Sequence, residues 1–195
     1  MYAVVIPVPD DLTTALQPLR ERFDPQAGVV AAHISILPPF DYFGPPDALH
    51  DHLSATGDVF APIKVSLVGW DIHRNGQGYQ LRLPVIAGRK ELPALRNSLC
   101  TGLLASLADQ KEAGHWPYIQ FGQVDSHRQI QAIKQQLVHF EPQFIFRATG
   151  FDLLHRPGPN QHWQCQQSFG LMATLASPRR KTKTPLQIEQ AFKNR

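Results

Sequence analysis

Leu92, Leu95, Leu99, Leu103, Leu104 and Leu107 fall on one face of a helix, the strictest helical period in the chain. A helix with a single leucine face must lay it on an apolar surface. The neighbouring segments supply that surface with a different period. Ile63, Val65 and Leu67 alternate before an Asn75-Gly76 turn, and Tyr79, Leu81, Leu83 and Val85 alternate after it, the pattern of a β-hairpin. Trp116 to Val124 reads as a further strand, and Asp125 or Ser126 then caps a helix carrying Ile130, Ile133 and Leu137.

The N-terminal part repeats the theme. Residues 2–8 alternate weakly and predict a strand. Asp10 or Asp11 can cap a helix bearing Leu12, Leu16, Leu19 and Phe23, in which Pro18 predicts a kink or an early end. Val29 to Leu37 is β-branched and apolar, a strand stopped by Pro38-Pro39, and Pro45-Pro46 opens a short helix through Leu53. Phe144 to Leu154 and His162 to Leu171 close the pattern as a hairpin around Pro157-Gly158-Pro159-Asn160. The order is α+β with mostly antiparallel pairing and a suggestion of internal duplication. Nothing like a low-complexity linker divides it, so residues 1–176 are expected to form one domain, followed by a basic tail at 177–195.

Charge and composition exclude several function classes. The tail sets six basic residues against Glu189, a net +5, so the rest of the chain carries −2 of the overall +3. Broad capture of nucleic acid through a basic body is therefore not expected. Cys100 and Cys165 have no CxxC partner, which argues against a disulfide framework or a zinc site. The opening MYAVVIPVP lacks a basic n-region, and no apolar run approaches a membrane span. A cytoplasmic, non-membrane monomer is the expectation.

On Val29 to Leu37, alternation puts Ala31, His33 and Ser35 on one face and Ile34 and Ile36 on the other. An imidazole and a hydroxyl ~6–7 Å apart on one strand face can both reach one phosphate. The later segment Pro117-Tyr118-Ile119-Gln120-Phe121-Gly122 alternates in the same way, with Tyr118 and Gln120 together and Ile119 and Phe121 behind. Other candidates are weaker. Phe40 and Tyr42, near one rim, could stack on a base or simply cap the core, and Arg82 could bind phosphate or be an ordinary surface arginine. His115, at an odd offset from Tyr118, needs a bend at Trp116-Pro117 to reach the same face. His50 and His52, two apart on a helix, make a poor metal clamp.

Ala32-His33-Ile34-Ser35-Ile36-Leu37-Pro38-Pro39-Phe40 resembles the first signature of the 2H phosphoesterases, whose branches include 2'-5' RNA ligases and cyclic phosphodiesterases. That family carries His-x-Thr/Ser twice, and the resemblance extends over roughly residues 1–176. It implies two similar lobes of mainly antiparallel sheet with helices outside, a pseudo-twofold, and a central cleft exposing both motifs. It also implies a phosphodiester ligand such as a 2',3'-cyclic phosphate RNA end, a cyclic nucleotide or a 2'-5' linkage, handled without metal or organic cofactor. Here the second motif departs from the pattern: Tyr118 stands where the second histidine belongs and Gln120 where the second hydroxyl belongs.

The chemistry of that departure is specific. Opening a cyclic phosphate needs one group to take a proton from water and another to give one to the departing ribose oxygen. An imidazole with a pKa near ~6.5 can do either at neutral pH, whereas a phenol near ~10 can only donate. His33 would then be the base and Tyr118 the donor, with Ser35 and Gln120 holding phosphate oxygens. The alternatives are a catalytically impaired module that binds nucleotides or RNA ends and, less favoured, a purely structural role.

Overall fold

Strand pairing in this chain converges on its two motif strands. A computed structural model describes residues 1–76, 78–108, 117–159 and 161–173. In chain order the elements are β1 (Tyr2–Pro7), α1 (Asp10–Phe23), β2 (His33–Phe40), α2 (Pro46–Asp58), β3 (Ile63–Val68), β4 (Asp71–Asn75), β5 (Gly78–Ala87), α3 (Glu91–Leu99), β6 (Tyr118–Val124), α4 (His127–Gln136), β7 (Gln143–Ala148), β8 (Gly150–His155) and β9 (Gln164–Gly170). The strands form one sheet in the order β7-β3-β5-β6-β2-β1-β8-β9, with β4 attached to β5, and every pairing is antiparallel.

That order is nearly palindromic about its centre. The unit β1-α1-β2 is matched by β5-α3-β6, and the last strand of each unit, β2 or β6, meets the other at the middle of the curled sheet. Each unit's helix lies against the other unit's inner strand, α1 on β6 and α3 on β2. The α+β, two-lobed, pseudo-twofold architecture expected from the sequence is thereby present. One continuous core joins the lobes through Val4, Ile6, Ile34, Leu37, Leu81, Leu83, Ile119 and Phe121, among others. Each such aliphatic or aromatic side chain contributes roughly 1.5–3 kcal/mol on burial.

Local chemistry explains the boundaries. Ser126 caps α4 in a reciprocal pair with Gln129, as its hydroxyl and the residues after it suggest. α1 instead starts after Pro9, with Asp10 and Asp11 in its first turn and no side-chain cap. It passes Pro18 and reaches Phe23 without an early end. Pro18 and Thr14 both sit on the exposed face, so the carbonyl left without its i+4 donor lies on the solvent side of the helix.

Four other expectations need correction. β2 begins at His33 rather than Val29 and runs through Pro38 and Pro39 to Phe40, which pairs with Tyr2 across a bulged register. The hairpin across Asn75-Gly76 joins β5 to β4, a strand the sequence did not announce, while β3 pairs with both β5 and β7. The leucine helix stops at Leu99. Gly102 takes a positive φ of 54° and the chain re-forms as a 3-10 turn, Gly102–Leu107, so Leu104 and Leu107 are still buried but Leu103 faces out. Finally, Phe144 to Leu154 is two strands: β7 joins β3 in one lobe and β8 joins β1 and β9 in the other.

Candidate active site

The two motif strands meet with Ile34 opposite Ile119, both fully buried. In an antiparallel pair that register sets His33 across from Gln120 and Ser35 across from Tyr118, with cross-strand Cβ atoms ~4.5–5.5 Å apart. The alternation read from the sequence holds on both strands: Ile34, Ile36, Ile119 and Phe121 are buried, while the four polar residues are half-buried on the other face. His33, Ser35, Tyr118 and Gln120 all line one cavity of about 180 Å³, together with Arg20 and Asp24 from the end of α1. That is well above the ~10–15 Å³ that one water needs on the same measure. It suits an oxyanion with its approach, and a whole nucleotide would extend beyond it.

The imidazole is oriented. His33 Nδ1 lies 2.8 Å from the Ala31 carbonyl oxygen, which can only accept, so Nδ1 carries a proton and, in the neutral ring, Nε2 keeps its lone pair. Burial holds the His33 pKa below the ordinary 6.5, and the Arg20 charge pushes the same way; the Ala31 bond and the Asp24 carboxylate oppose it. A neutral ring with Nε2 unprotonated is the state of a general base. The strand itself is anchored from behind, where Arg96 of α3 donates to the Ile36 carbonyl at 2.7 Å.

The other half is held by different means. Tyr118 donates its hydroxyl hydrogen to Gln80 Oε1 at 3.3 Å, and the Arg82 guanidinium lies 4.7 Å from the centre of its ring. Arg82 is 8% exposed and donates to both carboxylate oxygens of Asp71, at 2.9 and 3.2 Å. It is therefore not the surface arginine that strand alternation suggested, because its partner Asp71 lies directly opposite on β4. It does not line the cavity; it supports Tyr118. Neither the Ser35 hydroxyl nor the Gln120 carboxamide hydrogen-bonds to another described residue, so both can donate to an anion.

Phe40 and Tyr42 are not brought to the cavity. Phe40 is buried beside Tyr2, and Tyr42 packs on the core while its hydroxyl donates to the Pro45 carbonyl at 3.2 Å. His115 lies outside the described residues, as does the basic tail at 177–195. His50 and His52 part company, the first edge-on to Phe169 and the second 2.9 Å from the Leu99 carbonyl. Among the described residues no three His, Cys, Asp or Glu gather as metal ligands, and no helix is long and apolar enough to cross a membrane.

Arg20 and Asp24 escaped the sequence reading. The signal was present: Arg20 continues the i+4 stripe of Leu12 and Leu16, the buried face of α1, where a charged residue is out of place unless it has work. Its Nε and Nη2 both bond Asp24 Oδ2 at 3.0 Å, and Nη2 also reaches the Val30 carbonyl at 2.8 Å, stapling the segment that leads into β2.

Two lobes of antiparallel sheet, each contributing a pair of alternating polar residues to one shared cleft, define a two-lobed α+β fold with its candidate site at the seam. The chain belongs to the 2'-5' RNA ligase superfamily, whose family model matches residues 8–160. The resemblance to 2H phosphoesterases is thus shown. Among solved structures it is similar to TT0787 of Thermus thermophilus, at 17% identity and a TM-score of 0.58, covering 88% of this chain and 97% of that one. It is also similar to E. coli LigT complexed with 3'-AMP, at 15% identity and 0.56, covering 88% and 98%. A structure described as a phosphoesterase aligns at 16% identity and 0.53, over 88% and 98%. No curated protein matches the chain in sequence. At these identities the structural likeness establishes the fold.

Proposed function

We propose that this protein acts on phosphodiesters in the manner of a 2H phosphoesterase with one altered motif, His33 serving as base and Tyr118 as proton donor. The carrying observation is the carbonyl-anchored imidazole of His33 sharing one cavity with Ser35, Tyr118 and Gln120. For a 2',3'-cyclic phosphate, water attacks phosphorus while His33 Nε2 takes its proton. The bond from phosphorus to one ribose oxygen breaks, and that oxygen takes the Tyr118 hydroxyl proton. A phosphate monoester leaves, and the imidazolium returns a proton to the phenolate. Ser35 and Gln120 donate to the non-bridging oxygens as charge accumulates there. Cyclic nucleotides and 2'-5' linkages present the same group to the same cleft, and the 3'-AMP bound to E. coli LigT is consistent with a nucleotide ligand.

Hydrolysis of 2',3'-cyclic nucleotides by the wild-type chain and by His33→Ala tests this reading, and equal rates would end it. A second reading, a nucleotide- or RNA-end-binding module without turnover, is favoured by one observation: the Tyr118 hydrogen is directed to Gln80 rather than to the cavity. Calorimetry with nucleoside 2'- and 3'-phosphates separates the two, since binding without hydrolysis belongs to the module.

A further inference from the structure

Arg20 is buried to 2% exposure, lines the cavity beside His33, and is incompletely bonded. Its Nε and Nη2 face Asp24 Oδ2, and Nη2 also reaches the carbonyls of Val30 and, at 3.4 Å, Gln26. Nη1 has no hydrogen-bond partner among the described residues. Buried charged N–H groups in folded proteins are almost always satisfied, so an orphan one on a residue that lines a cavity calls for a ligand, which reaches the sealed Nη1 when the guanidinium shifts to uncover it. Guanidinium geometry says which way it faces. Nε and Nη2 share one edge of the planar fork, and Asp24 occupies that edge, so Nη1 belongs to the edge turned away from the carboxylate. Asp24 lines the same cavity, and its Oδ1 accepts from the Gln26 amide at 3.0 Å. It holds the Nε–Nη2 edge of the guanidinium in place.

We propose that Arg20 is an oxyanion-binding residue of this cleft, its Nη1 donating to a non-bridging oxygen of a bound phosphate. This rests on the phosphate-site reading above and deepens it. Tyr118, Gln120 and Ser35 are neutral, so the guanidinium is the one cationic donor among the residues lining the cavity apart from His33, and Asp24 balances its charge while leaving Nη1 unpaired among the described residues. Anion binding through a guanidinium does not depend on protonating His33, so the base can remain free while the phosphate is held.

The probes are inorganic phosphate and adenosine 3'-monophosphate, titrated into the full chain by calorimetry and by NMR of the arginine guanidinium groups. The wild-type protein is expected to bind both at millimolar ligand, with the Arg20 guanidinium signals shifting saturably along the same isotherm. The paired variant Arg20→Met with Asp24→Asn removes both buried charges together, and is expected to weaken binding about 10- to 100-fold, the range for a hydrogen bond to a charged group. Phosphate binding that moves His33 and Ser35 signals but leaves Arg20 unmoved, or that keeps its affinity in the paired variant, would overturn the role of Arg20 and leave the phosphate site standing. No binding by the wild-type protein would overturn both. Should the paired variant fail to fold, the guanidinium titration of the wild type decides the matter alone.

Discussion

β2 and β6 present their polar residues to one cavity with the same alternation and in mutual register, yet the two halves are built for different work. On β2 the imidazole is fixed by a backbone carbonyl, depressed in pKa by burial, and backed by a segment stapled to Arg20. On β6 a phenol rests on the Arg82–Asp71 pair and a carboxamide replaces a hydroxyl. The difference teaches that the sheet's geometry is specified by its buried face. Ile34 against Ile119 fixes the register, and substitutions on the opposite face leave that register alone while changing what the site can do. Either half can therefore exchange its polar residues without disturbing that register.

Deleting the imidazole should break the comparison most severely. His33→Ala is expected to lower kcat/KM for a 2',3'-cyclic nucleotide by roughly 10²–10⁴, the usual worth of an acid–base group. Making the halves alike should sharpen it in the other direction: Tyr118→His is expected to raise kcat about 10²-fold, and an unchanged rate would mean that β6 does not reach the leaving oxygen. Tyr118→Phe keeps the ring over Arg82 but removes the donor, and should cost about 10- to 100-fold in kcat with nucleotide affinity little altered.

The pH dependence follows from His33. With its folded pKa below the 6.5 of a free imidazole, the base is unprotonated at neutral pH, and kcat/KM should fall only as pH drops through a midpoint below 6.5. Linkage has the same sign: the unfolded chain takes up this proton first, so the His33 contribution to stability is present above 6.5 and is lost as pH falls through the folded pKa. An acid limb above 6.5 in the rate profile would count against a buried neutral base.

The smallest effect on activity is expected where the α1 end crosses β6. A Cβ on Gly122 would lie 2.7 Å from Leu81 Cδ1 and 2.8 Å from Phe23 Cβ. Gly122→Ala should cost about 1–3 kcal/mol of stability by chemical denaturation, as overpacking does, while activity per folded molecule is retained.

Much of this was legible in the chain because it depends on local pattern. Alternation placed His33 with Ser35 and Tyr118 with Gln120, and the Ser126 cap and the closing β8–β9 hairpin follow from nearby residues. What was illegible depends on distant partners or on single backbone angles. Thr149 divides one apolar run between two lobes because β7 and β8 find different neighbours. Gly102 ends a leucine periodicity that continues in sequence. Arg82 looks like a solvated strand residue until β4 brings Asp71 against it, and Arg20, although it falls on the buried stripe of α1, shows no partner until Asp24 folds back to meet it.

The asymmetry between the two halves stands or falls on the protonation of one ring. Nitrogen-detected NMR of the His33 imidazole, followed across pH and then during titration with a nucleoside 3'-phosphate, reads it directly. The expected result is a proton on Nδ1, an unprotonated Nε2 at pH 7, protonation only below 6.5, and a saturable shift of Nε2 on adding ligand. A ring protonated on Nε2 at neutral pH, or one indifferent to the nucleotide, would contradict it.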